Sequence, residues 1–496
     1  MGVVVAIDAG TTGVRAFAVD DAGRPAGWSY REFTQHFPRP GWVEHDAEEI
    51  WAAVQATLAE LLGTLDQPVA AIGITDQRET VVVWDRRTSR PRHRAIVWQD
   101  RRTAGRCDEL REAGHLPLVR DRTGLVLDPY FSSTKLEWLL REGGVEADAD
   151  LAFGTVDSWV LWNLTGGAVH ATEPSNASRT LLYDIRDLSW SDELCSLFGV
   201  PASVLPEVRP SSGRFGVTTG GAGVPAGIPV SGIAGDQQAA LFGQACVRPG
   251  MAKNTYGTGS FLLMNVGSAC PDPVEGLLTT VGWTIDGEPG AVYALEGAVF
   301  VTGAAVQWLR DGLQIIDDAA EIEALAASVD STDGVYLVPA FTGLGSPWWD
   351  PYARGAVVGI TRGTGRAHLA RATLEAIAFQ SRDVVEAMCA ASGERLRSLR
   401  ADGGASANDL LLQLQADQLQ APVQRPVIQE TTALGAAYLA GLAEGVWSSL
   451  DEVAAQWRLD VEVAPAVDAA AADAAYAQWR RAVERSLRWE PSGPGT

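Results

Sequence analysis

A short motif that occurs twice constrains this chain more than anything else in it. Val3 to Ile7 is an apolar run rich in β-branched residues and Val14 to Val19 is a second extended segment. Between them lies Asp8-Ala9-Gly10-Thr11-Thr12-Gly13, so the pattern predicts a β-hairpin with a tight Gly/Thr turn. About half the chain later, Asn254-Thr255-Tyr256 enters Gly257-Thr258-Gly259 and Phe261-Leu262-Leu263-Met264 leaves it. Two more elements recur in the same order. Ala71 to Thr75 is a short buried strand ending at Asp76-Gln77-Arg78-Glu79, and Leu399 to Asp402 ends at Gly403-Gly404-Ala405. Each half then turns into a helix of small residues, at Ala234-Gly235-Asp236-Gln237-Gln238-Ala239-Ala240 and at Glu430-Thr431-Thr432-Ala433-Leu434-Gly435-Ala436-Ala437. Any α/β chain can repeat one Gly/Thr turn by chance. Three coincidences in order predict an α/β fold of two duplicated lobes with a cleft between them, and helices this small-sided predict that the two cross at the interface.

Length and charge fit that frame. A chain of 496 residues has room for two large lobes. The expected division is a first lobe over 1–245, a second over 246–445, and terminal helices over 446–496. That last stretch carries Trp457, Trp479 and Trp489 as docking residues before a frayed Pro491–Gly495 tail. With 39 basic against 62 acidic residues the formal charge is −23, which argues against nucleic acid as a partner because backbone phosphates demand a basic face. Five cysteines, at 107, 195, 246, 270 and 389, form no CxxC pair, so neither a disulfide framework nor a zinc site is expected. The start of the chain lacks the basic flank and cleavage site of a secretory signal, and no apolar run reaches the eighteen or so residues a membrane helix needs. The expectation is a cytoplasmic protein that is not membrane-embedded.

Both turns offer backbone N–H groups and threonine hydroxyls in a tight concavity, which suits phosphate oxygens held from two sides of a cleft. Asp8 at the strand end could hold Mg²⁺ through water while phosphates complete its shell. Arg15 would offset phosphate charge, although an arginine on a hairpin also reads as a solvated side chain. Gly403-Gly404-Ala405 would let a base or ribose approach the backbone, or serve only as a strand-to-helix connection. Asp236, at a helix start on the interlobe crossing, could accept a proton from a substrate hydroxyl attacking a γ-phosphoryl group, or merely cap the helix. Gln237 beside it, with Arg78 and Glu79, favours a polar pocket suited to hydroxyls. Trp98, Tyr130 and Phe261 could line it; singly, each also reads as core packing.

Together these segments resemble the FGGY carbohydrate kinase family, over about Val3 to Gly445. Tyr130-Phe131-Ser132-Ser133-Thr134-Lys135-Leu136-Glu137-Trp138-Leu139 is similar to its first signature. Gly355 to Ile360, running on to His368-Leu369 and Ala372-Thr373-Leu374-Glu375, is similar to its second. Pro40-Gly41-Trp42-Val43-Glu44-His45-Asp46, Gln77-Arg78-Glu79-Thr80 and Trp349-Asp350-Pro351-Tyr352 resemble the branch that acts on glycerol. The resemblance implies actin-like, ribonuclease H-type lobes closing on ATP and a polyol. It implies that Arg78, Glu79, Tyr130, Asp236 and Gln237 hold glycerol hydroxyls, that Trp98 and Phe261 bracket its carbon edge, and that Asp236 is the base. For the nucleotide it implies Thr11, Thr12, Gly13 and Arg15 at one turn, Thr258 at the other, Gly303 and Gln307 nearby, and Gly404, Ala405 and Asn408 around the adenosine. Asp8 and Asp236 would face Mg²⁺. The implied product is sn-glycerol 3-phosphate, formed without a phosphoenzyme, and the implied assembly is a homodimer or homotetramer.

The chain departs from that branch in four places. Ala9 stands where Gln is common and Asp76 where Asn is common. Ser211 to Gly216 lacks the histidine, and Gly220 to Gly227 the basic residue, that some relatives use for control. Two rival readings accompany this one: the same chemistry on another small polyol or sugar, and an ATP-gated actin-like interaction protein whose output is a conformational state.

Overall fold

The computed structural model describes residues 2–490; the expected Pro491–Gly495 tail lies outside the described residues. Two sheets dominate. The first is built from β1 (Val3–Ala9), β2 (Gly13–Val19), β3 (Pro25–Glu32), β4 (Val69–Asp76), β5 (Ser212–Gly221) and β6 (Val224–Gly235), in the order β5-β6-β4-β1-β2-β3. The second comprises β7 (Met251–Tyr256), β8 (Ser260–Gly267), β9 (Leu278–Trp283), β10 (Val292–Val299), β11 (Ser398–Asp402), β12 (Val423–Pro426) and β13 (Leu459–Val463), in the order β9-β10-β8-β7-β11-β12-β13.

The duplication is visible strand by strand. β1, β2 and β3 form an antiparallel meander, and β4 and then β6 add in parallel on the other side of β1. β7, β8 and β10 form the same meander, and β11 and then β12 add in parallel beside β7. Helices fill equivalent gaps: α1 (Ala47–Leu62), α3 (Val156–Leu164) and α4 (Asp236–Gly243) in the first lobe, and α5 (Arg366–Ser392), α6 (Asp409–Leu419) and α7 (Thr431–Ala443) in the second. A further helix, α2 (Ser132–Arg141), lies in the long connection after β4, and α8 (Ala469–Val483) follows β13.

β1 is apolar from Val3 to Ile7 because both of its faces are covered. Val3, Val5 and Ile7 pack with Ile50, Val54 and Leu58 of α1 and Trp159 of α3, while Val4 and Ala6 point the other way, toward Phe242 of α4 and Tyr438 of α7. That second cluster also takes in Leu263, Trp283 and Ala294 of the second sheet, so α4 and α7 lie between the sheets as a shared core. They meet through glycine: a Cβ on Gly435 would overlap the Ala239 carbonyl, and one on Gly243 would overlap that of Thr431.

Beyond residue 446 the chain differs from the all-helical expectation. β13 extends the second sheet, and Trp479 on α8 is fully buried with its indole N–H donating to Asp383 at 3.0 Å. Trp457 instead stacks on the Arg400 guanidinium at 3.8 Å, and Trp489 is 70% exposed and docks nothing. Spacing alone cannot tell a docking tryptophan from an exposed one.

Candidate active site

The parallel strands β1, β4 and β6 end together, and each delivers chemistry at its carboxyl end, where α/β sheets bind ligands. β1 brings Asp8, paired in register with Arg15 on β2 and Thr75 on β4. After β4 the chain makes a three-residue turn: the Thr80 N–H donates to the Arg78 carbonyl at 2.8 Å, and Glu79 at its centre is left-handed, with φ 62°. Such a turn is strained for a residue with a Cβ and needs its surroundings to hold it.

Those surroundings are a buried charge network. The Arg78 guanidinium donates to both Glu296 oxygens, at 2.5 and 3.1 Å, to Gln238 Oε1 at 3.1 Å and to the Tyr130 hydroxyl at 3.3 Å. Arg179 donates to Glu79 Oε1 at 2.6 Å and to Glu296 Oε1 at 3.0 Å. Arg78 and Glu79 are therefore not an isolated ion pair. Glu296, on β10 of the second lobe, is the anion both arginines share; burial pushes its carboxyl up, but Arg179 and Arg78 outweigh burial and hold it down at about 2. Glu79 is raised by burial, which Arg179 and Arg78 only partly offset. Glu296 and Arg179 escaped the sequence reading. Glu296 leaves a trace, a lone carboxylate in the otherwise apolar Val292–Val299, whereas Arg179 leaves none.

Asp236 is the first residue of α4; Gly235 occupies the cap position. Its Oδ1 accepts from the Gln237 N–H at 2.7 Å and sits 3.3 Å from Arg78 Nε, with its side chain 31% exposed. It is therefore not the helix cap. Burial raises its carboxyl, opposed by Arg78 and Lys253. Trp98 and Tyr130 stand edge to face at 5.6 Å, and the Trp98 indole N–H donates to Thr11 Oγ1 at 3.0 Å. Lys135 donates to the carbonyls of Pro129, Tyr130 and Phe131 at 2.9, 2.7 and 2.8 Å, which fixes the loop carrying Tyr130. Phe261 lies on β8 of the second lobe, opposite Thr255 in register.

Each expected turn is closed by a backbone hydrogen bond, over four residues in the first and three in the second. The Gly10 N–H donates to the Gly13 carbonyl at 3.0 Å and the Gly257 N–H to the Gly259 carbonyl at 2.8 Å. Thr12 is exposed at the first turn, where its Oγ1 lies 3.4 Å from the Tyr30 hydroxyl. Arg15, far from being a solvated hairpin arginine, forms an ion pair across the cleft with Glu430 at the start of α7. Around the second turn, the Gly303 N–H donates to the Gly257 carbonyl at 3.1 Å, and Ala304 and Thr302 N–H groups donate to the Thr258 carbonyl at 3.0 Å. Gly403, at φ 83°, lies against the end of β7, where a Cβ would strike the Tyr256 carbonyl; Gly404 beside it is exposed and Ala405 half-buried. Gly303 thus packs on the Thr258 turn, and Gly403, just before Gly404 and Ala405, packs on the end of the strand that leads into it. Gln307, last in the short Gly303–Gln307 helix, is exposed. Asn408 caps α6, its Oδ1 accepting from the Leu411 N–H at 2.8 Å, which leaves its amide N–H groups uncommitted to the cap.

For a divalent cation the relevant observation is a deficit of positive charge. Burial and the neighbouring Asp236 together push Asp8 up to about 7, with Arg15 opposing. Two carboxylates that cannot both ionise comfortably fit a cation between them. Among the described residues no group of three or more His, Cys, Asp and Glu could hold a metal ion, so phosphate oxygens would have to supply the remaining ligands. The arrangement sets a partly exposed carboxylate beside a network of opposed charges, with Gly/Thr turns rich in backbone N–H groups at the ends of β1 and β7; such groups can accept a proton, bind hydroxyls and hold phosphate oxygens. Among the described residues, no helix is long and apolar enough to cross a membrane.

Comparison with known proteins bears on this geometry. The N-terminal domain of the FGGY family of carbohydrate kinases matches residues 3–243, and its C-terminal domain residues 252–444. The chain is 57% identical over 493 residues to a glycerol kinase of Dechloromonas aromatica, covering 98% of each. It is 54% identical over 494 residues to one of Carboxydothermus hydrogenoformans, again covering 98% of each. Its structure is similar to that of Plasmodium falciparum glycerol kinase with ADP, with a TM-score of 0.94, 36% identity and 98% of each chain covered. It is also similar to a xylulose kinase of Rhodospirillum rubrum, with a TM-score of 0.86, 27% identity, and coverage of 97% of this chain and 98% of that one.

Proposed function

This chain belongs to the FGGY family of carbohydrate kinases, and from that premise we propose how its residues divide the work of the reaction. The enzyme phosphorylates glycerol with ATP. In the assignment we favour, Arg78, Glu79, Tyr130, Asp236 and Gln237 hold the glycerol hydroxyls, and Trp98 and Phe261 pack on its carbon edge. Thr11, Thr12, Gly13 and Arg15 take the phosphates from one side and Thr258 from the other. Gly303, Gln307, Gly404, Ala405 and the amide nitrogen of Asn408 surround the rest of the nucleotide. The first lobe, 1–245, then carries the polyol, and the second, 246–445, the nucleotide.

The observation that carries the assignment is the place of Asp236. It is a partly exposed carboxylate at the interlobe crossing, beside a pocket of opposed charges and close enough to Asp8 at the first turn to raise that carboxyl. A terminal glycerol hydroxyl passes its proton to Asp236 as its oxygen bonds the γ-phosphorus, and the bond from that phosphorus to the β–γ bridging oxygen breaks, releasing ADP. The product is sn-glycerol 3-phosphate with no phosphoenzyme. Most of the acceleration comes from positioning and from neutralising phosphate charge. Asp8 and Asp236 would hold Mg²⁺, which supplies charge neutralisation on the phosphates when bound. Arg15 must exchange Glu430 for phosphate when ATP enters. We place the enzyme in the cytoplasm, as a homodimer or homotetramer.

The test is coupled ADP release over a panel of acceptors. Glycerol is expected to give the highest kcat/KM, by at least about tenfold over erythritol and over ketoses. A higher kcat/KM for erythritol or a ketose would overturn the choice of acceptor.

A further inference from the structure

Of the 39 basic residues in this chain only Lys135 and Lys253 are lysines, and both are fully buried. Arginine carries the charge everywhere else, so these two positions call for what arginine lacks, a compact ammonium with three rotatable donors. Lys135 has an evident task, since three carbonyls of the Tyr130 loop use all three of its N–H groups. Lys253 does not.

Lys253 stands on β7, opposite Leu263 on β8 and Arg400 on β11. Its ammonium donates to Gln237 Oε1 and, at 2.9 Å, to Thr255 Oγ1. Among the described residues no carboxylate lies within ion-pair distance of it. Burial brings it down to about 8, with Asp402 and Asp236 opposing, so it stays mostly charged near neutrality. A buried ammonium without a paired anion is costly for the fold, and what it touches is a half-exposed side chain in the cleft.

An ammonium has donors only, so the Gln237 atom facing it must be the carboxamide oxygen. The other end, Nε2, is then fixed as the face Gln237 presents to a ligand. We propose that Lys253 is a positioning residue that locks the Gln237 carboxamide so that it can only donate to the acceptor substrate. Asp236 next to it is its opposite, an acceptor-only carboxylate. The two neighbours then read the acceptor in complementary senses, Gln237 donating to a substrate hydroxyl oxygen and Asp236 accepting a hydroxyl proton. Without Lys253 the carboxamide can turn over, and half of its orientations set a carbonyl against a hydroxyl oxygen. This inference rests on the glycerol-phosphorylating reading and deepens it.

The test is a double-mutant cycle on the full-length enzyme with K253M, Q237A and the double variant, read by coupled ADP release. Methionine keeps the volume and removes the charge, so K253M is expected to melt no lower than wild type. Its kcat/KM for glycerol should fall by about 10- to 100-fold, while KM for ATP changes by less than about twofold. In the Q237A background K253M should cost less than about threefold, because its route of action is already gone. In an active enzyme, equal losses from K253M with and without Gln237, or wild-type kinetics for K253M, would overturn the inference alone. A wild type with no glycerol-dependent ADP release would overturn the reading beneath it.

Discussion

At the scale of single residues the cleft shows how a protein carrying a net charge of −23 can take up a polyanion. The positive groups are few and local: Arg15, Arg78, Arg179 and Lys253 converge on the cleft through their ties to Glu430, Glu296, Glu79 and Gln237. One residue behind the first turn has a measurable consequence. His45 is buried, with Nε2 2.6 Å from Gln35 Oε1 and Nδ1 3.3 Å from Gln77 Nε2. Those two glutamines donate in turn to the carbonyls of Thr11 and Gly10. Nδ1 must accept from Gln77, so the ring is neutral; burial, with His36 adding, brings it down to about 4. A folded-state value below the unfolded 6.5 means stability that is fully present above pH 6.5 and lost as pH falls toward 4. About 2 kcal/mol should be gone by pH 5. Urea unfolding at pH 7 and pH 5 checks this: H45N is expected to lose about 2 kcal/mol less than wild type between the two, and an equal loss would contradict the assignment.

At the scale of elements, the sequence announced what repeats and concealed what is reached over distance. The two hairpins, the strands Val69–Asp76 and Ser398–Asp402, and the glycine-sided helices α4 and α7 were legible because each follows from local pattern. Arg78, Glu79, Asp236 and the turn threonines were legible as candidates for the same reason, since turns and helix starts advertise themselves. Glu296 and Arg179 were not, because their role exists only once β10 of one lobe meets the loop after β4 of the other. Strand β13 was missed because Leu459–Val463 is mostly exposed on an edge and lacks a clear inside. The crossing of α4 and α7 carries the clearest prediction at this scale. In Gly435→Ala the new methyl would overlap the Ala239 carbonyl, so the substitution should cost about 2–3 kcal/mol by urea unfolding. A variant as stable as wild type would show that the helices do not approach this closely.

At the scale of the whole molecule, duplication explains the architecture and asymmetry explains the chemistry. Each lobe repeats a meander, two parallel strands and a closing helix, yet the matched positions diverge. Asp8, three residues before Thr11 in the first turn, has as its counterpart Thr255, three before Thr258 in the second. The first turn thereby carries a carboxylate three residues ahead of its threonine, and the second an uncharged hydroxyl in the same place. The lobes are joined across the cleft by Arg15 to Glu430 and by Glu296 to Arg78 and Arg179, so a substrate that reorganises these contacts is felt by both. All of this converges on one carboxylate. The most direct measurement is the rate of ADP release with saturating glycerol and ATP, wild type beside Asp236→Asn, with glycerol binding to each followed by calorimetry. Strong glycerol dependence is expected in the wild type, and in the variant near-normal glycerol affinity with kcat lower by at least about 100-fold. A variant that turns over glycerol at close to the wild-type rate would contradict the role of Asp236 as the base.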